Sequence, residues 1–302
     1  MARWPSSLPW PIGTGYQLSP LDPAHRTEMD TGLPRARRIT WAENDRLQMQ
    51  VRLTDAEMAA FRAWFGDRVV SLAGASDDLS GWVLTRATLT ADSVTGPADT
   101  LADRLIETTG TGVHTVTRRL DPGVVGGATL LARATCRAAG RHEMRLGVTD
   151  AAGVLRGHAD MHLDSGVITR ISGVASARSI DRGDGWWRIE ITVALPPATP
   201  ESQVLLGLID DQPSNSYTGD GTSGIDICEV QARMATGYDL YLPSDAAGRA
   251  IGAAGGSGWF LMPLAFGGGA SWVEARFTGP FTATMLQGFN WQVSAPLEVR
   301  HA

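Results

Sequence analysis

Between residues 77 and 235 the chain is written in short runs of alternating apolar and polar residues, separated by Gly, Asp and Ser. The runs fall at 82–90, 103–109, 113–119, 128–138, 142–149, 158–164, 167–172, 186–195, 203–210 and 224–233. Period two places the apolar side chains of a strand on one face, whereas a helix needs a period near 3.6. A sheet with one apolar face must cover it with a second layer. A chain of many short strands therefore closes into a sandwich or jelly roll. The 35 Gly and 16 Pro, spread without a period, suit the tight turns of such a fold.

The flanks read differently, and 302 residues leave room for two domains. Residues 77–254 hold 15 Arg against 22 acids, a net of −7, while the remainder holds 11 Arg against 10 acids, a net of +1. Trp4, Trp10, Trp41, Trp64, Trp259, Trp272 and Trp291 lie in the outer pieces, leaving only Trp82, Trp186 and Trp187 between. These asymmetries divide the chain into 1–75, an acidic middle 77–235, a Gly/Ala-rich return linker 236–255, and 256–302. Pro5, Pro9, Pro11, Pro20, Pro23 and Pro34 make 1–36 an extended arm, since proline fixes φ and removes a donor. Leu47, Met49, Val51 and Leu53 share one face of a strand. Thr54 with Glu57 three positions on is a capping-box pattern, and Met58, Phe61 and Phe65 recur at helical spacing, so 55–66 reads as a short amphipathic helix. Asp55 and Arg62 would share its polar face. Strands are expected near 259–265, 271–278 and 289–299. The fold class is mainly β: the outer pieces form one discontinuous β-sandwich domain with one short helix, interrupted by an inserted β jelly roll.

Bulk properties exclude several functions. No apolar run approaches the ~18 residues of a membrane span, so no membrane insertion is expected. The start, MARWPSSLPWP, lacks the apolar core of an export signal, which implies synthesis and assembly in the cytoplasm. A net charge of −6 without a basic stripe argues against specific nucleic-acid binding. Cys136 and Cys228 fit a reduced pair of strand residues better than a disulfide. No nucleophile elbow, HExxH or phosphate loop is present, and GGASW (268–272) is a turn, so the chain is not read as an enzyme.

Two sets of motifs carry a resemblance. WPSSLPWPIGTGYQLSP (4–20), RTEMDTGLPRARR (26–38), LTDAEMAAFRAWF (53–65) and GSGWFLMPLAFGGGASWVEARFTGPFTATMLQGFNWQVSAPLEV (256–299) resemble a family of small siphophage tail proteins and, more distantly, the distal tail and minor tail proteins of lambda-like phages. That resemblance implies a tail-tube-like β-sandwich, assembled as a ring, with a hexamer expected, against other tail proteins of the tube, hub or fibre. It places the chain in the virion tail of a phage or a gene transfer agent. DLSGWVLTRATLTAD (78–92), ADRLIETTGTGVHTVTRRL (102–120), DMHLDSGVITRIS (160–172), GDGWWRIEITV (183–193) and SYTGDGTSGIDICEVQARM (216–234) resemble jelly rolls grafted onto phage fibre, spike and tail proteins, which are similar to carbohydrate-binding modules. The insert is accordingly expected to bind host surface polysaccharide. Two other readings stay open: an architectural component whose insert contacts other tail or fibre proteins, and a polysaccharide-degrading tail enzyme.

Candidate residues follow, each with its plainer alternative. Trp186, Trp187, Tyr217 and Arg188 are the candidates for a glycan face, with aromatic rings against sugar C–H surfaces. Adjacent Trp186 and Trp187 point to opposite sides of a strand, so at least one of them, like Trp82, is expected in the core. Asp210, Asp220 and Asp226, with Asp211, cluster in sequence around a Gly/Ser-rich loop that suits a structural Ca2+, the alternative being Asx-turns at strand ends. His158, Asp160, His162 and Asp164 alternate, but ligands along one strand rise about 6.6 Å per pair, which is awkward for one coordination sphere. Arg35, Arg37 and Arg38, with Trp4 and Trp10, are candidates for a subunit interface in a ring, or in the case of the arginines for a solvated loop.

Overall fold

The computed structural model of the chain describes residues 2–11, 17–20, 24–27, 35–38, 45–66, 70–121, 126–197, 199, 201–210, 215–235, 240–251, 258–266, 269–286 and 290–300. It is a mainly β protein with a single α-helix among the described residues. It divides into two compact units. One comprises 1–68, 237–242 and 251–302, and the other 69–236 and 243–250.

The first unit is a sheet whose strands run in the order Ala2–Arg3, Phe260–Phe266, Gly269–Phe277, Asn290–Arg300, Asp45–Thr54 and Gln17–Pro20, with Thr282–Leu286 also on Asn290–Arg300. The long pairing of Asn290–Arg300 with Asp45–Thr54 joins the two ends of the sequence. Leu47, Met49, Val51 and Leu53 are buried on one face, as their alternation requires. The helix Asp55–Phe65 starts where the sequence places it. Thr54 Oγ1 accepts from Glu57 N at 3.3 Å and Glu57 Oε2 accepts from Thr54 N at 2.7 Å. Its buried face centres on Phe61 and Trp64, which meet Trp4, Phe260, Phe277 and Phe281 at ring-centroid distances of 5.0–6.5 Å. On its polar side, Trp291 Nε1 donates to Asp55 at 2.6 Å, and the Arg62 guanidinium lies 5.5 Å from the Trp291 ring centre.

The second unit is a sandwich of two six-stranded sheets. The front sheet runs Ile168–Ser172, Leu155–His162, Glu143–Asp150, Ser202–Ile209, His114–Arg119, Val83–Thr85. The back sheet runs Ser176–Gly183, Trp186–Ala194, Thr129–Ala139, Gly224–Met234, Leu101–Glu107, Ala87–Thr95. The chain passes repeatedly between the sheets, the winding of a jelly roll. Leu130, Ala134, Met144, Leu146, Val148, Met161, Ile189, Ile191, Leu206 and Ile227 fill the space between them. Cys136 belongs to this core, whereas Cys228 packs on the far side of its sheet with Trp186 and Ala102, and both are free thiols.

The structure departs from the sequence reading in three places. The run 82–90 is two strands in different sheets, because Arg86 adopts a left-handed φ of 49° that turns the chain between them. Ser176–Gly183 and Thr282–Leu286 are strands that the reading omits. Both are largely solvent-facing and pair with the rest of their sheet along one side only, so apolar alternation is weak in them. Part of the expected linker packs instead into the second unit. Val70 N and Ser71 N both donate to Gly248 O, and Ser244 exchanges hydrogen bonds with Gly74 and Ser76.

Candidate functional site

The residues first expected to form a sugar face do not share one. Trp186 is 2% exposed and packs with Ala102 and Cys228, with the Arg137 guanidinium 4.7 Å from its ring centre. Trp187, on the opposite side of the strand, packs on the sandwich core beneath Gly166. Arg188 is buried, donating to Glu229 Oε2 at 2.5 Å and to Thr135 Oγ1 at 3.3 Å. Tyr217 donates to Glu107 at 2.6 Å, and its ring is flanked by His114 at 4.6 Å and Arg141 at 5.0 Å. Burial and the Glu107 carboxylate push its hydroxyl pKa well up. Trp186 and Arg188 are thus buried, as expected of at least one of the two adjacent tryptophans, while Trp187 and Tyr217 are half-buried and lie apart from them.

The aspartates are also dispersed. Asp226 is fully buried, bridged by Arg104 at 2.7 Å and Arg137 at 2.9 Å. Asp220 accepts from the amides and hydroxyls of Thr222 and Ser223, and these bonds hold its carboxyl far below the usual range. Asp210 lies 3.7 Å from Arg141. Among the described residues no group of three or more His, Cys, Asp or Glu is placed to hold a metal ion. Asp226 is engaged by two arginines, and Asp220 makes the loop turn that was its alternative. Asp211 lies outside the described residues. In the His158–Asp164 stretch, Asp160 is fully buried beneath Arg145 (2.7 and 2.8 Å) and Arg170 (3.0 Å). His162 stacks on His142, whose Nδ1 is 2.7 Å from Asp164.

In the first unit, Trp4 is 3% exposed within the aromatic core of its own domain, while Trp10 is 45% exposed. Arg35, Arg37 and Arg38 lie on a strand paired with Ala24–Thr27, and their side chains fall outside the described residues.

The front sheet of the second unit carries a groove that the sequence reading missed. Strands Glu143–Asp150 and Ser202–Ile209 are neighbours, with Arg145 opposite Gly207 and Gly147 opposite Leu205. Opposed residues share a face, and Met144, Leu146 and Val148 face the core, so Arg145, Gly147, Thr149, Leu205 and Gly207 face outward. Gly207 lines a depression of about 170 Å3 on that face, together with Val113, Thr115, Arg145, Thr149, Leu155 and Leu205 among others, while Gly147 lies diagonal to it on the neighbouring strand, outside the lining. Its floor is backbone and its walls are aliphatic and hydroxyl side chains. A methyl group added at Gly207 would meet only ordinary contacts, 3.4–3.6 Å from Thr115, Arg145 and Leu205. Gly207 thus has room for a methyl group among its neighbours, whereas the space over Gly147 is taken by Leu155, whose Cδ1 lies 3.0 Å from an added Cβ.

The chemistry around the groove is polar but balanced. Arg145 spends Nε and Nη2 on Asp160, leaving Nη1 uncommitted to that pair. Arg170 also reaches Glu143 at 3.6 Å, so two guanidiniums face two carboxylates. His158, opposite Gly147, has its pKa lowered by burial and by Arg145, which keeps the imidazole neutral near pH 7. The signal in the sequence was a pair of glycines at outward positions of strands, in RLGVT (145–149) and LLGLI (205–209). Such positions mark bulges or close approach to the backbone, by Leu155 of this chain at Gly147.

No family model matches the chain, and no curated protein matches it. Among solved structures it is similar to an arabinose-bound α-L-arabinofuranosidase, at 12% identity and TM-score 0.38 over 55% of this chain and 26% of that one. It is also similar to the enzymatically active domain of bacteriophage CBA120 tailspike protein 4, at 14% and 0.34 over 55% of this chain and 21% of that one. A third is the C-terminal family 22 carbohydrate binding module of Clostridium thermocellum Xyn10B, at 14% and 0.35 over 57% of this chain and 98% of that one. The chain spans well under half the length of the first two.

Proposed function

We propose that the chain is a structural component of the tail of a phage or phage-like particle, near its distal end, and that its jelly-roll unit adheres to host surface polysaccharide through the front-sheet groove. The observation that carries the adhesion reading is the depression at Gly207, where backbone lies between the hydroxyl walls of Thr115 and Thr149 and the aliphatic walls of Leu155 and Leu205. Hydroxyl-rich ligands need such a mixture: convergent hydrogen-bonding groups for the hydroxyls, and apolar carbon for the C–H surfaces. The tail role is supported by the resemblance of residues 4–65 and 256–299 to siphophage tail proteins, two stretches that contribute strands to one sheet. In a ring of identical copies, grooves of millimolar affinity would gain about 10²–10⁴ in avidity where geometry permits.

The test is binding of the full chain to host envelope polysaccharide, compared with a Gly207→Leu variant that fills the groove. A Cβ at this position meets only ordinary contacts, so Gly207→Ala serves as the folding control, and the melting temperatures of both variants are compared with the parent before binding is read. Saturable binding that disappears in Gly207→Leu is the expected result. A well-folded parent that binds no polysaccharide at millimolar sites leaves the architectural reading, in which the insert contacts other tail or fibre proteins.

A further inference from the structure

We infer that the groove takes a neutral sugar presenting a methyl group, either the C6 methyl of a 6-deoxyhexose or the methyl of an N-acetyl group, against its aliphatic wall. This deepens the adhesion reading and rests on it. The first ground is what the second unit lacks for other sugars. Unsubstituted hexoses offer proteins a patch of ring C–H groups, which a flat aromatic ring covers well. The sequence has no Phe between residues 66 and 259. Trp82 and Trp186 are buried, Trp187 packs on the core, and the Tyr217 ring is flanked by His114 and Arg141. Among the described residues no aromatic side chain lines the groove, so it holds no ring to act as a platform.

The second ground is what the groove offers. Leu155 is 36% exposed beside Gly147, where its Cδ1 lies 3.0 Å from an added Cβ, and Leu205 stands directly across from that glycine. Branched aliphatic carbons make a concave wall that suits a compact methyl group and gives a flat ring little contact. Thr115, Thr149 and the spare Nη1 of Arg145 supply hydrogen-bonding groups on the rest of the rim. A volume of about 170 Å3 matches five or six waters at ~30 Å3 each, room for one substituted ring and not for an extended chain.

The third ground is charge. Arg145 and Arg170 are answered by Asp160 and Glu143, so the rim has no net charge to offer a uronate or other acidic sugar. A neutral ligand avoids stripping water from an unmatched charge.

The test uses pairs of sugars that differ in the substituent at issue. The full chain is titrated with 6-deoxy-L-mannose against L-mannose, and with N-acetylglucosamine against glucose, with saturation-transfer NMR to locate the bound protons. Burying one methyl against Leu155 and Leu205 should favour the substituted member of at least one pair about four- to tenfold. The methyl protons should saturate most strongly, and Gly207→Leu should abolish both effects. Which pair responds separates the deoxy source from the acyl source. Equal affinity within both pairs, with binding still lost in Gly207→Leu, overturns the methyl assignment and leaves the adhesion reading intact. Preference for the substituted sugar that survives in Gly207→Leu overturns the assignment to this groove. No binding of any sugar or of host polysaccharide overturns both.

Discussion

Asp77 should make the jelly-roll unit less stable at neutral pH than at mildly acidic pH. Its Oδ1 accepts the amide of Glu229 at 2.9 Å. Glu229 is itself buried, holds a left-handed φ of 52°, and is clamped by Arg188 at 2.5 Å and Thr135 at 2.6 Å. Burial, reinforced by the Glu229 and Asp103 carboxylates, lifts the Asp77 pKa from 3.8 to about 6. The folded-state pKa lies above the unfolded one, so the native protein binds more protons between pH 4 and 6. The associated stability is fully present below pH ~4 and is lost as pH rises through 6. Two pKa units at 1.36 kcal/mol each give a loss of about 3 kcal/mol by pH 7.5. Asp77→Asn keeps the Oδ1 acceptor and removes the ionisation. The variant should therefore exceed the parent by about 2–3 kcal/mol at pH 7.5 and match it near pH 4. Comparing the two at each pH cancels other titrating groups, such as Asp220 and Asp150, whose lowered pKa values act in the opposite sense. Native-state hydrogen exchange of amides in Gly224–Met234 reads this unit without assuming that the whole chain unfolds in one step. A variant less stable than the parent at pH 7.5, or a difference independent of pH, would refute the reasoning.

Two further substitutions probe the cores. Gly166→Ala places a Cβ 2.1 Å from the Trp187 ring at a φ of +67°, so it should cost about 3 kcal/mol or more and lower the unfolding midpoint of the jelly-roll unit in urea. Phe61→Ala empties the centre of the aromatic cluster beneath the helix. It should destabilise the first unit by about 3–5 kcal/mol, read as faster exchange of the Asp45–Thr54 amides, while the amides of Gly224–Met234 keep their protection.

What the sequence made legible follows from how each element is stabilised. The helix Asp55–Phe65 was readable because its cap and its apolar stripe are local patterns, set by residues three and four apart. The core strands were readable because one face of each is buried, and burial imposes alternation. Ser176–Gly183 escaped because both of its faces are partly wet, so nothing constrains its polar residues to one side. The burial of Arg188 was not legible for a different reason. The outer face of the back sheet is covered by arginine–carboxylate pairs, Arg133–Glu190, Arg188–Glu229 and Arg137–Asp226, and these bury residues whose composition reads as surface. Period two says which side of a strand a residue takes, and it does not say whether that side is dry.

The groove shows the same limit from the opposite direction. A binding face is usually sought in large side chains, and Trp186, Trp187 and Tyr217 attract that search because they are the conspicuous aromatics of the insert. Each of them is already spoken for: two by packing, and the third by Glu107, His114 and Arg141. The depression arises where a side chain is missing, at Gly207, which strand pairing places between Thr115 and Arg145, with Gly147 diagonal to it on the next strand. Neither glycine has a left-handed φ, so neither is demanded by the backbone. A strand interior gains stability from replacing Gly with almost any β-forming residue. Gly147 forgoes that gain to admit Leu155, whereas Gly207 forgoes it beside a depression, and under the adhesion proposal that space serves a ligand arriving from outside.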